Sequence, residues 1–332
     1  MFAFRDPSPA YVPLPPSPVL NSSPSAGPAL SDTPPMHSAE KATLGVRNPH
    51  PFSGPSWRTR GLLAAAQLTG LQLKIPKQPP IHPDLVNAFQ ALSPEEIQHQ
   101  THGASAAWLA HLDLLKHVWQ SDLDTALILE DDVDWDVTIR EQTVRIADTV
   151  RTLTHTHNGN ESAPYGRAWD VLWIGHCGEY WEDWIETVVY EDTGVCPHDK
   201  YIGWAKNYVN RLPDHRRNVY WSLNPVCSFA YGVSGEGARK ILTHLGGAQD
   251  EAFDVSMMHL CQQKVLNCIS VVPEVIHQYF SAESFGAKSI VDLGNEMQED
   301  VNESFESVMG STENILESAR CHALWGRSCL RE

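Results

Sequence analysis

Hydrophobic and polar positions follow helical and strand-like periods along most of the chain after residue 56. Residues 57–69 (WRTRGLLAAAQLT) are followed by Gly70, so they predict a helix that ends there. The next predicted helix covers residues 103–121, in which large apolar side chains recur three or four positions apart: Trp108, Leu112, Leu115 and Trp119. Such spacing gives each helix one apolar face for a core.

Short apolar runs bounded by polar residues predict strands between the helices. The predicted strands are a short one at 71–75 and longer ones at 125–130, 169–175, 227–234 and 268–278. Further helices are predicted near residues 137–153, 235–245 and 253–263. The segment 177–225 is aromatic-rich and irregular. Alternating strands and helices predict an α/β fold, with helices covering a mostly parallel sheet.

The two ends of the chain have a different composition. Residues 1–56 contain 13 of the 23 prolines, many serines and few branched apolar residues. Such a segment buries too little apolar surface to offset its ordering entropy, so we expect disorder there. Residues 57–282 are the predicted folded domain, and residues 283–332 are a predicted acidic tail that is partly ordered.

The charge balance restricts the class of partner. The chain has 41 acidic and 24 basic residues and a net charge of −17, which argues against nucleic acid as a ligand. A run of 18 apolar residues and a signal peptide are both missing from the sequence, so we expect a soluble chain without a membrane segment. Seven cysteines without a CxxC pair are too few for a disulfide scaffold; Cys321 and Cys329 are either bridged or reduced.

The strongest chemical signal is the stretch ALILEDDVDWD, residues 126–136. An apolar strand leads directly into five carboxylates: Glu130, Asp131, Asp132, Asp134 and Asp136. Like charges at this spacing repel each other, so a positive group is expected nearby. Ligands of α/β sheets sit beyond the carboxyl ends of strands, and Mg²⁺ or Mn²⁺ takes one or two carboxylates plus phosphate oxygens. The stretch therefore predicts a site for a metal and a diphosphate.

Two other interpretations apply to part of this cluster. Asp134 and Asp136 are also suited to cap the helix predicted near residue 137, because a helix N-terminus favours negative charge. In addition, DWDVT (134–138) matches the Asp-x-Asp pattern of haloacid-dehalogenase-type phosphatases, with Asp134 as nucleophile. That pattern requires its first aspartate directly after the strand, and here three acids intervene.

Four segments in order resemble glycosyltransferase family 25, in particular its fungal branch, related to the lipopolysaccharide and procollagen galactosyltransferases. They are GASAAWLAHLDLLKHVWQSDLDTALILEDDVDWD (103–136), WDVLWIGHCGE (169–179), PVCSFAYGVSGEGARKIL (225–242) and FDVSMMHL (253–260). The resemblance covers roughly residues 57–330. It implies a Rossmann-like fold of the GT-A type, with a single mixed sheet flanked by helices.

The resemblance also implies an activity: transfer of a hexose, galactose in the best-known members, from a UDP-sugar to a hydroxyl group, with inversion and with Mn²⁺ (or Mg²⁺). The expected acceptor is a glycan or a protein. Residues 57–282 would be the glycosyltransferase domain. Relatives of this kind lie in the Golgi or endoplasmic reticulum lumen behind a membrane anchor, which the sequence as written does not show.

Transferred residue by residue, the resemblance implies a donor site and a metal site. Glu130 and Asp131 are implied in donor binding. Asp132 is implied as a metal ligand, with Asp134 as a second and His277 as a third. Arg58 and Arg60 would be the remains of a basic turn that faces the donor, and His111 would line the site. Alternatives stay open: a core or capping role for His111, and a surface imidazole for His277.

On the acceptor side, Asp254 is the candidate base that deprotonates the acceptor hydroxyl, and Glu179 is the next candidate. Asp254 is equally suited to be the N-cap of a helix over residues 255–264. The chain departs from the family at its start, because NPHPFSG (48–54) stands where an apolar first strand is expected. The first strand is therefore expected to be missing, and a non-catalytic protein that binds sugar or partners is the alternative to an active transferase.

Overall fold

The computed structural model describes residues 43–45, 56–78, 80–92, 100–156, 163–247, 251–282 and 307–331, with backbone only for 43–45. All of them belong to one compact unit, residues 36–332. The disorder expected for residues 1–56 falls outside the described residues, except at 43–45 and 56. The acidic tail expected over residues 283–332 is described only for residues 307–331.

The described residues form strands and helices that alternate along the chain. The strands are β1 (Thr43–Gly45), β2 (Thr125–Leu129), β3 (Val133–Trp135), β4 (Val171–Gly175), β5 (Thr187–Glu191), β6 (Arg216–Trp221), β7 (Ala230–Ser234), β8 (Cys268–Val272), β9 (Ile276–Phe280) and β10 (Ser311–Thr312). The helices are α1 (Trp57–Thr69), α2 (Pro83–Gln90), α3 (His102–Gln120), α4 (Ile139–Leu153), α5 (Lys206–Val209), α6 (Gly235–Leu245), α7 (Phe253–Gln262) and α8 (Ala319–Trp325).

The main sheet contains six strands in the order β2-β7-β4-β8-β6-β5, and the short β1 adds a seventh at the edge beside β2. The pairs β1–β2 and β4–β8 are parallel, and the other neighbours are antiparallel. The α/β class and the mixed sheet are therefore confirmed. The expectation of a mostly parallel sheet is wrong, because β6 and β7 each run antiparallel to both of their neighbours.

The edge strand β1 corrects the expectation that the first strand is missing. Its backbone runs parallel to β2, with Thr43 opposite Leu127 and Gly45 opposite Leu129. The strand lies upstream of the proline-containing segment 48–54. A strand of three residues, of which only Leu44 is a large apolar residue, is too short to produce a periodic signal in the sequence.

The segment 268–278, predicted as one strand, forms two. Pro273 separates β8 from β9, because proline has no N–H to donate to a strand ladder. Strand β8 stays in the main sheet, whereas β9 pairs with β3 and β10 in a second, three-stranded antiparallel sheet. The expected single sheet is therefore two sheets. Residues 71–75, also predicted as a strand, have irregular backbone with an isolated bridge at Lys74.

Helices cover both faces of the main sheet. On one face, Trp108 of α3 and Ile241 of α6 pack with Val233 of β7 in one apolar cluster. On the other face, Leu62 of α1 packs in a second cluster with Leu172 of β4. Successive side chains along each strand point to opposite faces of the sheet. Because helices pack on both faces, both are buried.

The described part of the C-terminal segment is built into this fold. Strand β10 extends the small sheet, and α8 packs against α1 and β3. Three disulfides are present: Cys177–Cys227, Cys261–Cys268 and Cys321–Cys329. The bridged alternative for the last pair is thus the one in the structure. Of the helices in the described residues, none is long and apolar enough to cross a membrane.

Candidate functional site

The acidic cluster begins where β2 ends, beside the segment that enters β7. Because β2 and β7 are antiparallel, Leu129 lies opposite Ala230, and the residues just before β7 continue alongside Glu130. The backbone N–H of Glu130 donates to the carbonyl of Phe229 at 3.0 Å. The segment 227–229 therefore forms one wall of the candidate site, and Glu130 faces it.

Glu130 and His111, which the resemblance implies at one site, meet at this wall. Ser228 Oγ donates to Glu130 Oε1 at 2.9 Å, and His111 Nε2 lies 3.6 Å from the same oxygen. On its other side, His111 Nδ1 lies 3.1 Å from Tyr231 Oη, and its ring stacks on Phe253 at 4.8 Å. His111 is buried and held on both sides, whereas the Glu130 carboxylate stays partly open to solvent.

Asp254 lies next to the same wall. Its Oδ2 accepts a hydrogen bond from the backbone N–H of Cys227 at 2.6 Å, and Cys227 is disulfide-bonded to Cys177. The N-cap of α7 is Ala252, so Asp254 is two residues into the helix and the capping interpretation is wrong. Asp254 thus binds Cys227, and the next residue, Ser228, binds Glu130.

Asp132 has a positive partner inside the protein. Arg58 Nη1 donates to Asp132 Oδ2 at 2.6 Å and lies 3.9 Å from Asp131. Gln278 Nε2 donates to the same Asp132 oxygen at 3.0 Å. All three charged side chains are buried. The expectation of a positive group beside the cluster is therefore met by Arg58, while Arg60 is half-buried on the same helix.

A second buried arginine supports the backbone of the cluster. Arg320 Nη2 donates to the carbonyl oxygens of Arg58, Asp131 and Val133 at 3.1, 3.0 and 3.2 Å. Its guanidinium group also lies 4.8 Å from the centre of the Tyr279 ring. Burial lowers the pKa of Arg320, and neighbouring carboxylates, Asp134 foremost, oppose that shift. Arg320 thus holds the backbone of the acidic turn next to α1.

Asp134 holds the start of α8 instead of facing the open side of the cluster. Its Oδ2 accepts from Ser318 Oγ, and its Oδ1 accepts from the backbone N–H groups of Arg320 and Trp135 at 3.0 and 2.8 Å. Burial is the main cause that raises the pKa of Asp134. Both oxygens are thus engaged at a helix N-terminus, where negative charge is favourable.

Asp136 has a similar structural role. Its Oδ1 accepts from the backbone N–H of Thr138 at 2.9 Å, just before α4, and its Oδ2 accepts from the backbone N–H of Glu317 at 2.9 Å. The N-cap of α4 is Thr138, so the expectation that Asp134 or Asp136 caps this helix is wrong, and Asp136 instead holds the capping residue. It connects the beginning of α4 to the C-terminal segment.

Of the three predicted metal ligands, Asp134 and His277 lie opposite each other in the β3–β9 pairing, but the side chains have different partners. His277 lies on β9, buried 5.3 Å from the Phe229 ring, with Nε2 3.7 Å from Glu274 Oε1, so a surface imidazole is wrong. Asp134 binds α8, and Asp132 binds Arg58. Among the described residues, no group of three or more His, Cys, Asp or Glu side chains could hold one metal ion. In this arrangement Asp132, Asp134 and His277 each bind a different part of the protein.

Glu179 is closed off from solvent. Its Oε1 accepts from the backbone N–H groups of Leu223 and Asn224 at 2.5 and 2.8 Å. Burial raises the pKa of Glu179 to about 7. The pKa suits a general base, but the side chain is fully buried, so Asp254 is the better-placed candidate.

Sequence reasoning missed three residues of this site: Ser228, Gln278 and Arg320. Ser228 lies inside a segment that carries the resemblance, but a single serine has no signal of its own. Gln278 follows His277 at the end of a predicted strand. Arg320 lies in a segment interpreted as a tail, so only the folded chain shows that it reaches the acidic turn.

The arrangement combines a partly open carboxylate, a buried ion pair and a carboxylate beside a serine. It offers hydrogen-bond acceptors for hydroxyl groups at Glu130 and positive charge at Arg58. A scan against protein-family models gives no match to the chain, and a search of curated proteins gives none either.

Proposed function

We propose that the chain is a glycosyltransferase of the GT-A type that transfers a hexose, galactose foremost, from a UDP-sugar to a hydroxyl group of a glycan or protein, with inversion. The observation that supports this proposal is the arrangement at the end of β2. There Glu130 stays partly open, Arg58 supplies buried positive charge, and Asp254 lies next to the wall that Glu130 contacts.

On the donor side, Glu130 would accept hydrogen bonds from ribose hydroxyl groups, held in place by Ser228 and His111. Arg58 would attract the diphosphate, because guanidinium groups pair well with phosphate oxygens. The ion pairs with Asp131 and Asp132 hold the Arg58 guanidinium group in one orientation. Donor binding in this scheme depends on Glu130 and Arg58 together.

Mn²⁺ (or Mg²⁺) dependence stays a prediction, and Asp132 is its main residue. A divalent cation would supply charge that stabilises a leaving diphosphate. Because Asp134 and His277 are engaged elsewhere, the predicted set of three ligands does not support it. Donor binding measured with Mn²⁺ and with EDTA decides the point.

On the acceptor side, Asp254 would remove the proton of the attacking hydroxyl group, and the N–H of Cys227 would hold its carboxylate in one orientation. We expect Asp254→Asn to leave UDP binding intact and to lower turnover by roughly 10²-fold or more. A loss of melting temperature with normal turnover per folded molecule would mean that Asp254 is structural and that the base lies elsewhere.

The second candidate is a non-catalytic protein of the same fold that binds sugar. It is favoured by the Asp132 oxygen, which already accepts from Arg58 and Gln278. Turnover of a panel of UDP-hexoses, with and without Mn²⁺, separates the two. Release of UDP that is lost in Asp254→Asn supports the transferase, and UDP binding without release from any donor supports the second candidate.

A further inference from the structure

A cleft of about 400 Å³ lies at the ends of strands β2, β7 and β4 that are opposite to the acidic cluster. It is lined where β2 and β4 begin and where β7 leads into α6. Strand β2 separates it from Glu130 by five residues, roughly 15 Å of extended chain. The volume lies in the range of about 300–1,000 Å³ that is typical of small-molecule sites. The cleft is therefore separate from the site proposed above.

An aromatic ring forms one side of this cleft. Trp119, at the end of α3, lines it and is 53% exposed. An indole ring of this kind is costly to leave in water, because an aromatic side chain buries a large apolar area on contact. The neighbouring Trp169 is buried, and its Nε1 donates to the Tyr165 carbonyl at 3.0 Å, so its ring is part of the core. Trp119 is thus the open apolar surface of the cleft.

Paired planar groups form the other sides. Arg167 donates to both oxygens of Asp124, at 3.1 and 3.0 Å. Arg239 donates to both oxygens of Glu236, at 2.8 and 2.6 Å. Each pair fixes the direction of a guanidinium and a carboxylate while leaving further N–H groups and lone pairs for a ligand. The cleft therefore presents oriented donors and acceptors beside an aromatic surface.

The charges of the lining nearly cancel. Asp124 and Glu236 are matched by the two arginines, and the buried Asp170 accepts from Lys240 Nζ at 2.8 Å. Asp122 adds one more carboxylate. A lining with this slight acidic excess disfavours phosphates, sulfates and nucleotides. It favours a neutral ligand rich in hydroxyl groups that has one apolar face.

We propose that this cleft binds a pyranose unit of a neutral glycan, with one sugar face on Trp119 and its hydroxyl groups on the Arg167–Asp124 and Arg239–Glu236 pairs. A pyranose ring fits both requirements, because its C–H groups form an apolar face and its hydroxyl groups donate and accept in the ring plane. The site is independent of the UDP-sugar chemistry at Glu130. It would bind glycans whether or not the chain is a transferase.

The test is a titration of the full chain with lactose, maltose and cellobiose, followed through the indole N–H signals by NMR. The Trp119 signal is assigned by its loss in Trp119→Phe. We expect at least one disaccharide to shift it saturably. Calorimetry, which does not need the indole signal, should show an affinity about tenfold weaker in Trp119→Ala, as when a stacked ring is removed. Trp184→Ala is the matched control, because Trp184 is 76% exposed and lies outside the cleft.

Two further variants distinguish binding in the cleft from binding at the Glu130 site. Arg167→Met should weaken binding several-fold without changing the melting temperature, because Arg167 is exposed. Glu130→Gln should leave the disaccharide shifts unchanged. If no disaccharide shifts the Trp119 signal, or if binding survives Trp119→Ala and disappears in Glu130→Gln, the cleft proposal is overturned. UDP-sugar turnover tests the other site separately.

Discussion

The five carboxylates after β2 divide into two regions with opposite surroundings. Glu130, at the strand end, is partly open, and its carboxylate contacts Ser228 and His111 of the candidate site. Asp134 and Asp136, a few residues later, are buried and accept hydrogen bonds from the C-terminal segment. Between them, Asp131 and Asp132 lie against Arg58. One short acidic stretch thus contains both a partly open carboxylate, at the candidate site, and two carboxylates that hold the C-terminal segment.

The difference shows that neighbouring carboxylates in one acidic stretch can have different roles. A buried carboxylate needs partners, and α8 supplies them to Asp134 through Ser318 and Arg320. Glu130 keeps solvent on one side, so its capacity to accept hydrogen bonds remains for a ligand. Substitutions at the two ends of the stretch should therefore separate stability from binding.

The largest effect is expected at Asp134. Asp134→Ala removes three hydrogen bonds and leaves Arg320 buried without its nearest counter-charge. We expect a loss of about 3–5 kcal/mol in the free energy of unfolding, measured by chemical denaturation. Asp148→Ala is the control: Asp148 is exposed beside Arg151, and its loss should change stability by about 0.5 kcal/mol or less. Equal effects would contradict the structural role of Asp134.

Glu179 sharpens the comparison, because it is a fully buried carboxylate held by backbone N–H groups. Its pKa is raised from 4.5 to about 7 by burial, so the folded chain keeps a proton that the unfolded chain loses. The free energy of unfolding should then fall by about 3 kcal/mol as pH rises from about 4.5 to about 7, and stay flat above.

The matched variant for this pH dependence is Glu179→Gln. It keeps an acceptor for Leu223 and Asn224 but cannot ionise. Denaturation curves at several pH values should show the decline in the natural chain and a flatter profile in the variant. The same slope in both proteins would mean that Glu179 does not carry the raised pKa.

A smaller effect is expected at Gly61, which allows Arg320 to approach α1. A Cβ at Gly61 would lie 2.7 Å from Arg320 Nη1, and three carbonyl groups hold that guanidinium in place. Gly61→Ala should therefore destabilise the chain by about 1–3 kcal/mol despite the better helix propensity of alanine. A more stable Gly61→Ala protein, measured by thermal unfolding, would show that Arg320 has another position available.

Much of the fold follows from local patterns, and the rest depends on long-range contacts. Helix α1 matches its predicted bounds because Gly70 ends it with a left-handed conformation (φ 67°). Strands β2 and β4 are apolar runs in a buried sheet. In contrast, β1 is too short to give a signal, and the change of sheet at Pro273 depends on pairing with β3 and β10, which lie far away along the chain.

The site was predictable to a similar degree. The position of Glu130 at a strand end follows from the apolar run before it, whereas His111 was implied only by the family resemblance, and its contact with Glu130 is seen only in the folded chain. The use of Asp134 by α8 does not, because Ser318 and Arg320 are more than 180 residues away along the chain. Charge spacing alone cannot distinguish a carboxylate that is available to a ligand from one that is hydrogen-bonded to another segment of the chain.

The most direct test of the divided cluster is the rise in melting temperature caused by UDP with Mn²⁺, because a ligand that binds only the native state stabilises it. Glu130→Gln should unfold within about 0.5 kcal/mol of the natural chain, as expected for a partly exposed side chain, and should lose the rise. Asp132→Asn should lose it too. A full rise in Glu130→Gln, or the same rise with EDTA in place of Mn²⁺, would contradict the donor site or its predicted metal, respectively.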